Sequence, residues 1–229
     1  MIPMKPITAR FTAVLVTLGL ILASPFAAAQ LQTGSAIWEK DIQNFEAADK
    51  ANPPKPGAIL FIGSSSIEHW KDVAADFPDK RVLNRGFGGS RIADSTWYAG
   101  RIVVPYKPSM VVFYAGDNDV NDGHSAQQVF DDYLAFVARV RRDLPATPIA
   151  FISIKPSPSR AALLPVMTEA NAKIRAYAAA HPHLAYIDVA SGMLDAKGQP
   201  RAELFGPDML HMNRAGYDLW RGIIAPYLH

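Results

Sequence analysis

Three hydroxyl side chains, Ser64, Ser65 and Ser66, follow an apolar run that ends in a glycine, Ala58-Ile59-Leu60-Phe61-Ile62-Gly63. Two later apolar runs also give way to polar turns that contain glycine, Asn84-Arg85-Gly86-Phe87-Gly88-Gly89 and Gly116-Asp117-Asn118-Asp119. A fourth polar cluster is Asp208-Met209-Leu210-His211. Together these stretches hold a hydroxyl, bare backbone amides, a carboxamide, a carboxylate and an imidazole, which are the parts that acyl transfer by a serine needs. A serine hydroxyl is a weak nucleophile until a histidine takes its proton. The imidazole in turn needs a carboxylate to fix its tautomer and stabilise its cation. Asp208 and His211 are three apart, so one helical turn or a tight loop puts both side chains on the same side, with the other ring nitrogen free to face a serine. A developing oxyanion needs preorganised donors, each worth roughly 2.7–4 kcal/mol in the transition state. The backbone N–H groups of Ser65 and Gly89 and the side-chain amide of Asn118 are suited to this.

These residues need a scaffold that brings them to one place. The run at 58–62 has no polar position at either parity, which is the pattern of a strand buried on both faces of a parallel sheet. Similar strands are predicted at 81–84, 110–115, 148–154 and 184–189. Between them lie predicted helices at 67–70, 92–104, 125–140 and 165–180. Ser125 and Gln128 form a capping box at the start of the third, and Pro165 suits the first turn of the fourth. An amphipathic helix over 36–50, with Ile37, Trp38, Ile42 and Phe45 toward the core, precedes the first strand. A final helix capped by Asn213 carries Tyr217, Trp220, Ile224 and Tyr227. Strands alternating with helices predict a five-stranded, mostly parallel sheet with helices on both faces, a three-layer αβα sandwich. In such sheets ligands bind beyond the C-terminal strand ends, which is where the three glycine turns fall.

The chain has 229 residues and no cysteine, which excludes disulfides and lipid attachment at a cysteine. Lys5 and Arg10, an apolar stretch over 11–23 and Ala27-Ala28-Ala29 before Gln30 read as a cleaved signal peptide at 1–29. The apolar stretch falls short of the roughly 20 residues of a spanning helix. The expectation is therefore an exported, periplasmic or secreted protein, with one domain over 30–229 and no membrane span after cleavage. Its 229 − 29 = 200 residues suit one α/β domain. Losing Lys5 and Arg10 leaves 21 basic and 21 acidic residues. That balance, with no basic run, argues against nucleic acid as a partner.

The four blocks resemble those of the SGNH or GDSL-type esterases and lipases, a family named for a serine, glycine, asparagine and histidine. Gly63-Ser64-Ser65 resembles the first block, which marks Ser65 rather than Ser64 or Ser66 as the nucleophile. Asn84-x-Gly86-x-x-Gly89 and Gly116-x-Asn118-Asp119 resemble the second and third, and give Gly89 and Asn118 oxyanion roles beside the Ser65 N–H. Asp208-x-x-His211 resembles the last and completes a Ser65, His211, Asp208 triad. One departure is visible: the family's Gly-Asp-Ser is here Gly63-Ser64-Ser65. The resemblance implies a flavodoxin-like fold and serine ester hydrolysis without metal or other cofactor. The substrate would be a small-molecule, glycan or lipid ester.

Other readings of the same residues fail on spacing. The third glycine of a dinucleotide fingerprint would fall at Arg91, and a G-x-S-x-G elbow lacks its second glycine at Ile67. Residues 117–128 match a calcium loop poorly, since glycine stands seventh and Gln128 twelfth. Asp117, Asp119 and Asp122 are then expected to be solvated. His69 has no orienting acid except Glu68, whose side chain is expected to point elsewhere. His124, His181 and His183 are expected in solvated positions. The short connections leave little chain for a lid, which favours short acyl groups, acetyl above all. Phe87, Trp97, Met209 and Met212 lie near the motifs and are candidates to touch an acyl chain or a sugar. Lysophospholipase or thioesterase activity, or a non-catalytic cell-envelope binding domain, are the alternatives.

Overall fold

The computed structural model describes residues 35–228, so the expected signal peptide lies outside the described residues. Five strands form one sheet in the order β2-β1-β3-β4-β5, and every pairing is parallel. They are β1 (Ile59–Gly63), β2 (Val82–Gly86), β3 (Met110–Tyr114), β4 (Ile149–Ile152) and β5 (Leu184–Ile187). β1, β3 and β4 are buried at every position, as their unbroken apolar runs require. β2 runs two residues beyond the expected Asn84. Gly86 lies opposite Gly63 on β1, so this edge strand carries its ladder into the glycine turn.

The helices are α1 (Glu39–Ala51), α2 (Ser65–Glu68), α3 (Val73–Asp76), α4 (Ile92–Ile102), α5 (Asp117–Asn121), α6 (Ala126–Asp143), α7 (Leu164–Ala180) and α8 (Arg214–Ile224). Alternate strand residues feed two cores. Leu60, Ile62, Val111, Phe113, Ile149 and Phe151 pack under α1, α4, α6 and α7. Ile59, Phe61, Val112, Tyr114, Ala150 and Ile152 pack under α2, α3 and α8. The result is the expected three-layer αβα sandwich.

Several local signals correspond to structure. The Ser125 hydroxyl accepts from the Gln128 N–H while the Gln128 carboxamide accepts from the Ser125 N–H, and the Asn213 carboxamide caps α8 through the Gly216 N–H. Pro165 sits in the first turn of α7. The amino-terminal segment differs from its expected face, because residues 36–38 form a 3₁₀ turn that leaves Ile37 72% exposed. The turn instead swings Trp38 inward, its ring edge-on to Phe87. The Ser35 hydroxyl donates to Asp94 and its carbonyl accepts from the Tyr98 hydroxyl, which ties this segment to α4.

Gly63 decides how β1 ends. Its φ of +139° is one that side-chain-bearing residues rarely adopt, and a Cβ there would lie 1.7 Å from the Tyr114 carbonyl oxygen of β3. The bare backbone lets the Ser64 N–H donate to that oxygen and lets the chain enter α2 at once. Gly63→Ala is expected to yield little folded protein, whereas Ser125→Ala, which removes only the cap, is expected to cost about 1 kcal/mol in urea unfolding.

Candidate active site

Ser65 is the first residue of α2, so its N–H has no partner within the helix and points off the helix start. Of the three serines, Ser65 is the one whose Oγ reaches His211, at 3.1 Å from Nε2. Ser64 and Ser66 are buried, and neither hydroxyl has a hydrogen-bond partner among the described residues. The other ring nitrogen of His211, Nδ1, lies 2.6 Å from Asp208 Oδ2. Asp208 Oδ1 accepts from the N–H groups of Leu210 and His211, both at 3.0 Å. These bonds, those from Leu210 first, hold the Asp208 carboxyl far below its ordinary range. The carboxylate therefore stays charged, and with its side chain 51% exposed it loses little hydration to oppose this.

The Asp208–His211 segment is a tight loop and not a helical turn. The Gly206 N–H donates to the His211 carbonyl and the Met209 N–H to the Gly206 carbonyl. Met209 takes φ +54°, a left-handed conformation that is strained for a residue with a side chain. This bend brings Asp208 and His211 to the same side.

The second glycine turn is stitched to α2. The Asn84 carboxamide donates to the carbonyls of Ile67 and Trp70 and accepts from the Gly86 N–H. The Phe87 N–H donates to the Gly63 carbonyl and the Ser90 hydroxyl to the Phe87 carbonyl. At φ +68°, Gly89 turns the chain back with no side chain to fill the space, and a Cβ there would meet the Trp38 ring at 3.0 Å. Trp38 lies in the amino-terminal segment and carries no motif, so nothing in its spacing marks it as a wall of this turn. The Gly89 N–H makes no hydrogen bond among the described residues.

Asn118 sits in α5. Its Nδ2 donates to the Ser90 carbonyl at 3.0 Å and its Oδ1 accepts from Arg160 Nη2 at 3.0 Å. The acids on either side of it depart from the sequence expectation. Asp117 and Asp119 are both buried; only Asp122 of the three is exposed. Asp117 pairs with Lys155 Nζ at 2.8 Å and with Arg160 Nη1 at 3.2 Å. Burial alone would raise its carboxyl, but the two cations overcome this and hold it below the usual range. Asp119 accepts from the Ile92 N–H but has no salt-bridge cation among the described residues, and burial pushes its carboxyl up to about 7.

The remaining histidines differ in detail from expectation. The His69 ring packs on the His211 ring with centroids 4.5 Å apart, and its Nε2 is 3.8 Å from Glu68, so Glu68 does not point elsewhere. Burial, and then the neighbouring His211, keep His69 below its ordinary range, which disfavours a second imidazolium there. His124 is not simply solvated: Nδ1 is 3.5 Å from Asp132. Donor atoms of Asp119, His124 and Asp132 lie within 4.8 Å of one another, and the Asp119 carboxylate also accepts from the Ile92 N–H. His181 and His183 are exposed, as expected. Phe87 and Met212 are core residues, whereas Trp97 and Met209 are exposed. Beside α2 lies a cavity of about 310 Å³ lined by Asp41, Asn44, Phe45, Glu68, Lys71, Asn84, Gly86 and Phe87, none of which is a triad or oxyanion candidate.

A family model for GDSL-like lipases and acylhydrolases matches residues 62–219. No curated protein sequence matches the chain. A structure from Streptococcus pneumonia, 22% identical, superposes with a TM-score of 0.74 over 90% of this chain and 100% of its own. A GDSL-like lipase from Bacteroides thetaiotaomicron, 18% identical, gives 0.69 over 81% of this chain and 96% of its own. An acetyl-xylooligosaccharide esterase variant from Geobacillus Stearmophilus, 15% identical, gives 0.61 over 75% of this chain and 94% of its own. At these identities the superpositions establish the fold.

Asp119 gives the site's surroundings a pH signature. Between an unfolded carboxyl near 3.9 and the folded value of about 7, the folded state binds the extra proton. Stability from this group is therefore present at low pH and lost as pH rises from about 4 to about 7. In urea titrations, Asp119→Asn is expected to shrink the stability difference between about pH 5 and about pH 8; an unchanged difference would count against a buried neutral Asp119.

Proposed function

This chain belongs to the GDSL-like lipase/acylhydrolase family, whose chemistry is acyl-ester hydrolysis, and we propose that it is a serine esterase cleaving short acyl esters, acetyl above all. The observation that carries this reading is the relay from Asp208 through His211 to the Ser65 hydroxyl, with bonds of 2.6 and 3.1 Å.

Ser65 Oγ attacks the ester carbonyl carbon as His211 Nε2 takes its proton, and Asp208 holds the resulting imidazolium. The carbonyl electron pair moves onto oxygen, where the N–H groups of Ser65 and Gly89 and the Asn118 amide are the proposed donors. Collapse of this intermediate expels the alcohol, which leaves with the proton from His211, and an acyl-serine remains. Water then repeats the sequence with His211 as base, releasing the carboxylic acid and restoring the Ser65 hydroxyl. Each of these steps runs without a metal or other cofactor.

One observation supports a small acyl group: Ser65, Gly89 and Asn118 each follow closely on a strand end, which leaves little chain for a lid over that side of the site. The acetyl-xylooligosaccharide esterase among the structural neighbours accords with this. The amino-terminal segment supports export, with cleavage near Gln30.

Ser65→Ala is expected to remain folded and to lose hydrolysis of 4-nitrophenyl acetate, and a fluorophosphonate is expected to label the native protein at Ser65. Retained turnover in that variant would overturn the nucleophile, and a native protein that never labels would favour a binding domain. A panel of nitrophenyl esters is expected to show rates falling with acyl length; a preference for long chains would point to a lysophospholipase-like activity instead.

A further inference from the structure

The loop after β4 sends two cations into the interior. Lys155 is 1% exposed and the Arg160 side chain 12%. Both meet Asp117, so this buried cluster contains one more positive than negative charge. Lys155, at 2.8 Å, already neutralises the carboxylate. Arg160 is thus in excess of what Asp117 requires, and its other nitrogen, Nη2, donates to Asn118 Oδ1 at 3.0 Å.

That bond restricts the amide in a way that shape alone does not. The oxygen and nitrogen of an asparagine side chain have nearly the same size, so packing barely distinguishes one orientation from its flip. A guanidinium has donors only. Turned over, Asn118 would set its own N–H groups against Arg160 and its oxygen against the Ser90 carbonyl, two repulsive contacts in place of two bonds. As found, one Nδ2 hydrogen is held by the Ser90 carbonyl and the other has no acceptor among the described residues. The same loop also grips the base segment, because the Ser159 N–H donates to the Met209 carbonyl at 3.0 Å.

We propose that Arg160 is a positioning residue that acts through Asn118, holding its amide nitrogen toward the oxyanion position, with the Lys155–Asp117 pair holding Arg160 in turn. The inference rests on the reading of Ser65 and Asn118 as hydrolytic residues.

The test compares native protein with Arg160→Met, Arg160→Lys, Asn118→Ala and the Arg160→Met/Asn118→Ala pair, using kcat and KM for 4-nitrophenyl acetate. Alongside these, the side-chain amide resonances of Asn118 are followed by NMR and folding by thermal melts. Arg160→Met is expected to lower kcat at least tenfold, up to the ~10²–10³-fold cost of losing an oxyanion donor, with KM nearly unchanged. On the Asn118→Ala background the same change is expected to cost less than about twofold. Arg160→Lys, which keeps one donor, is expected to recover part of the rate. If Arg160→Met fails to fold, the Arg160→Lys rate and amide shift decide the matter. Full kcat in a folded Arg160→Met, an equal loss on the Asn118→Ala background, or unmoved Asn118 amide signals would each overturn the inference. The amide signals do not depend on turnover. An inactive native protein whose Asn118 signals still move with Arg160 would therefore sink the esterase reading alone.

Discussion

Three neighbouring strands stop level, and the site depends on that registration. Gly63 at the end of β1 is opposite Gly86 on β2 and Tyr114 on β3. From this common line Ser65 is two residues on, Gly89 three and Asn118 four, so three short turns converge without long loops. The two glycines make the closeness workable. A Cβ on Gly63 would strike the Tyr114 carbonyl, and one on Gly86 would lie 2.3 Å from the Glu68 nitrogen of α2. The helix that begins with Ser65 is thus seated directly on backbone. A slip of one residue in either pairing would reverse every side chain on that strand between the two cores.

The two halves of the site manage charge differently. On the Asn118 side, Asp117, Lys155 and Arg160 are withdrawn from water, where attraction is strong but any lost partner leaves a costly buried charge. On the base side, Asp208 stays half in water and is kept ionised by two backbone N–H groups and the His211 ring. Counterions screen the second arrangement far more than the first. Rising salt therefore loosens the carboxylate's electrostatic hold on an imidazolium while leaving the amide's support untouched.

The parts of this architecture with a local cause could be read from the residue order. Unbroken apolar runs announce strands buried on both faces, Ser125 and Gln128 announce a helix start, and Asp208 and His211 are close enough in the chain to meet by spacing alone. What escaped was long-range. The acids around Asn118 look like a solvated turn until Lys155 and Arg160, some forty positions later, are brought against Asp117. No periodicity marks a cation destined for the interior. Trp38 against Gly89, and His69 against His211, arise in the same way from elements that meet only in the folded sheet. Nor does any local pattern explain Ser64, whose hydroxyl is buried without a partner among the described residues where the resemblance leads one to expect an aspartate.

Ser65 and His211 are 146 positions apart. The hydroxyl is held at the end of β1 and the imidazole just before α8, near opposite ends of the described residues. Their 3.1 Å contact closes a loop over most of that span. The contact therefore exists only while both ends are docked on the sheet, and loosening either end parts the two side chains.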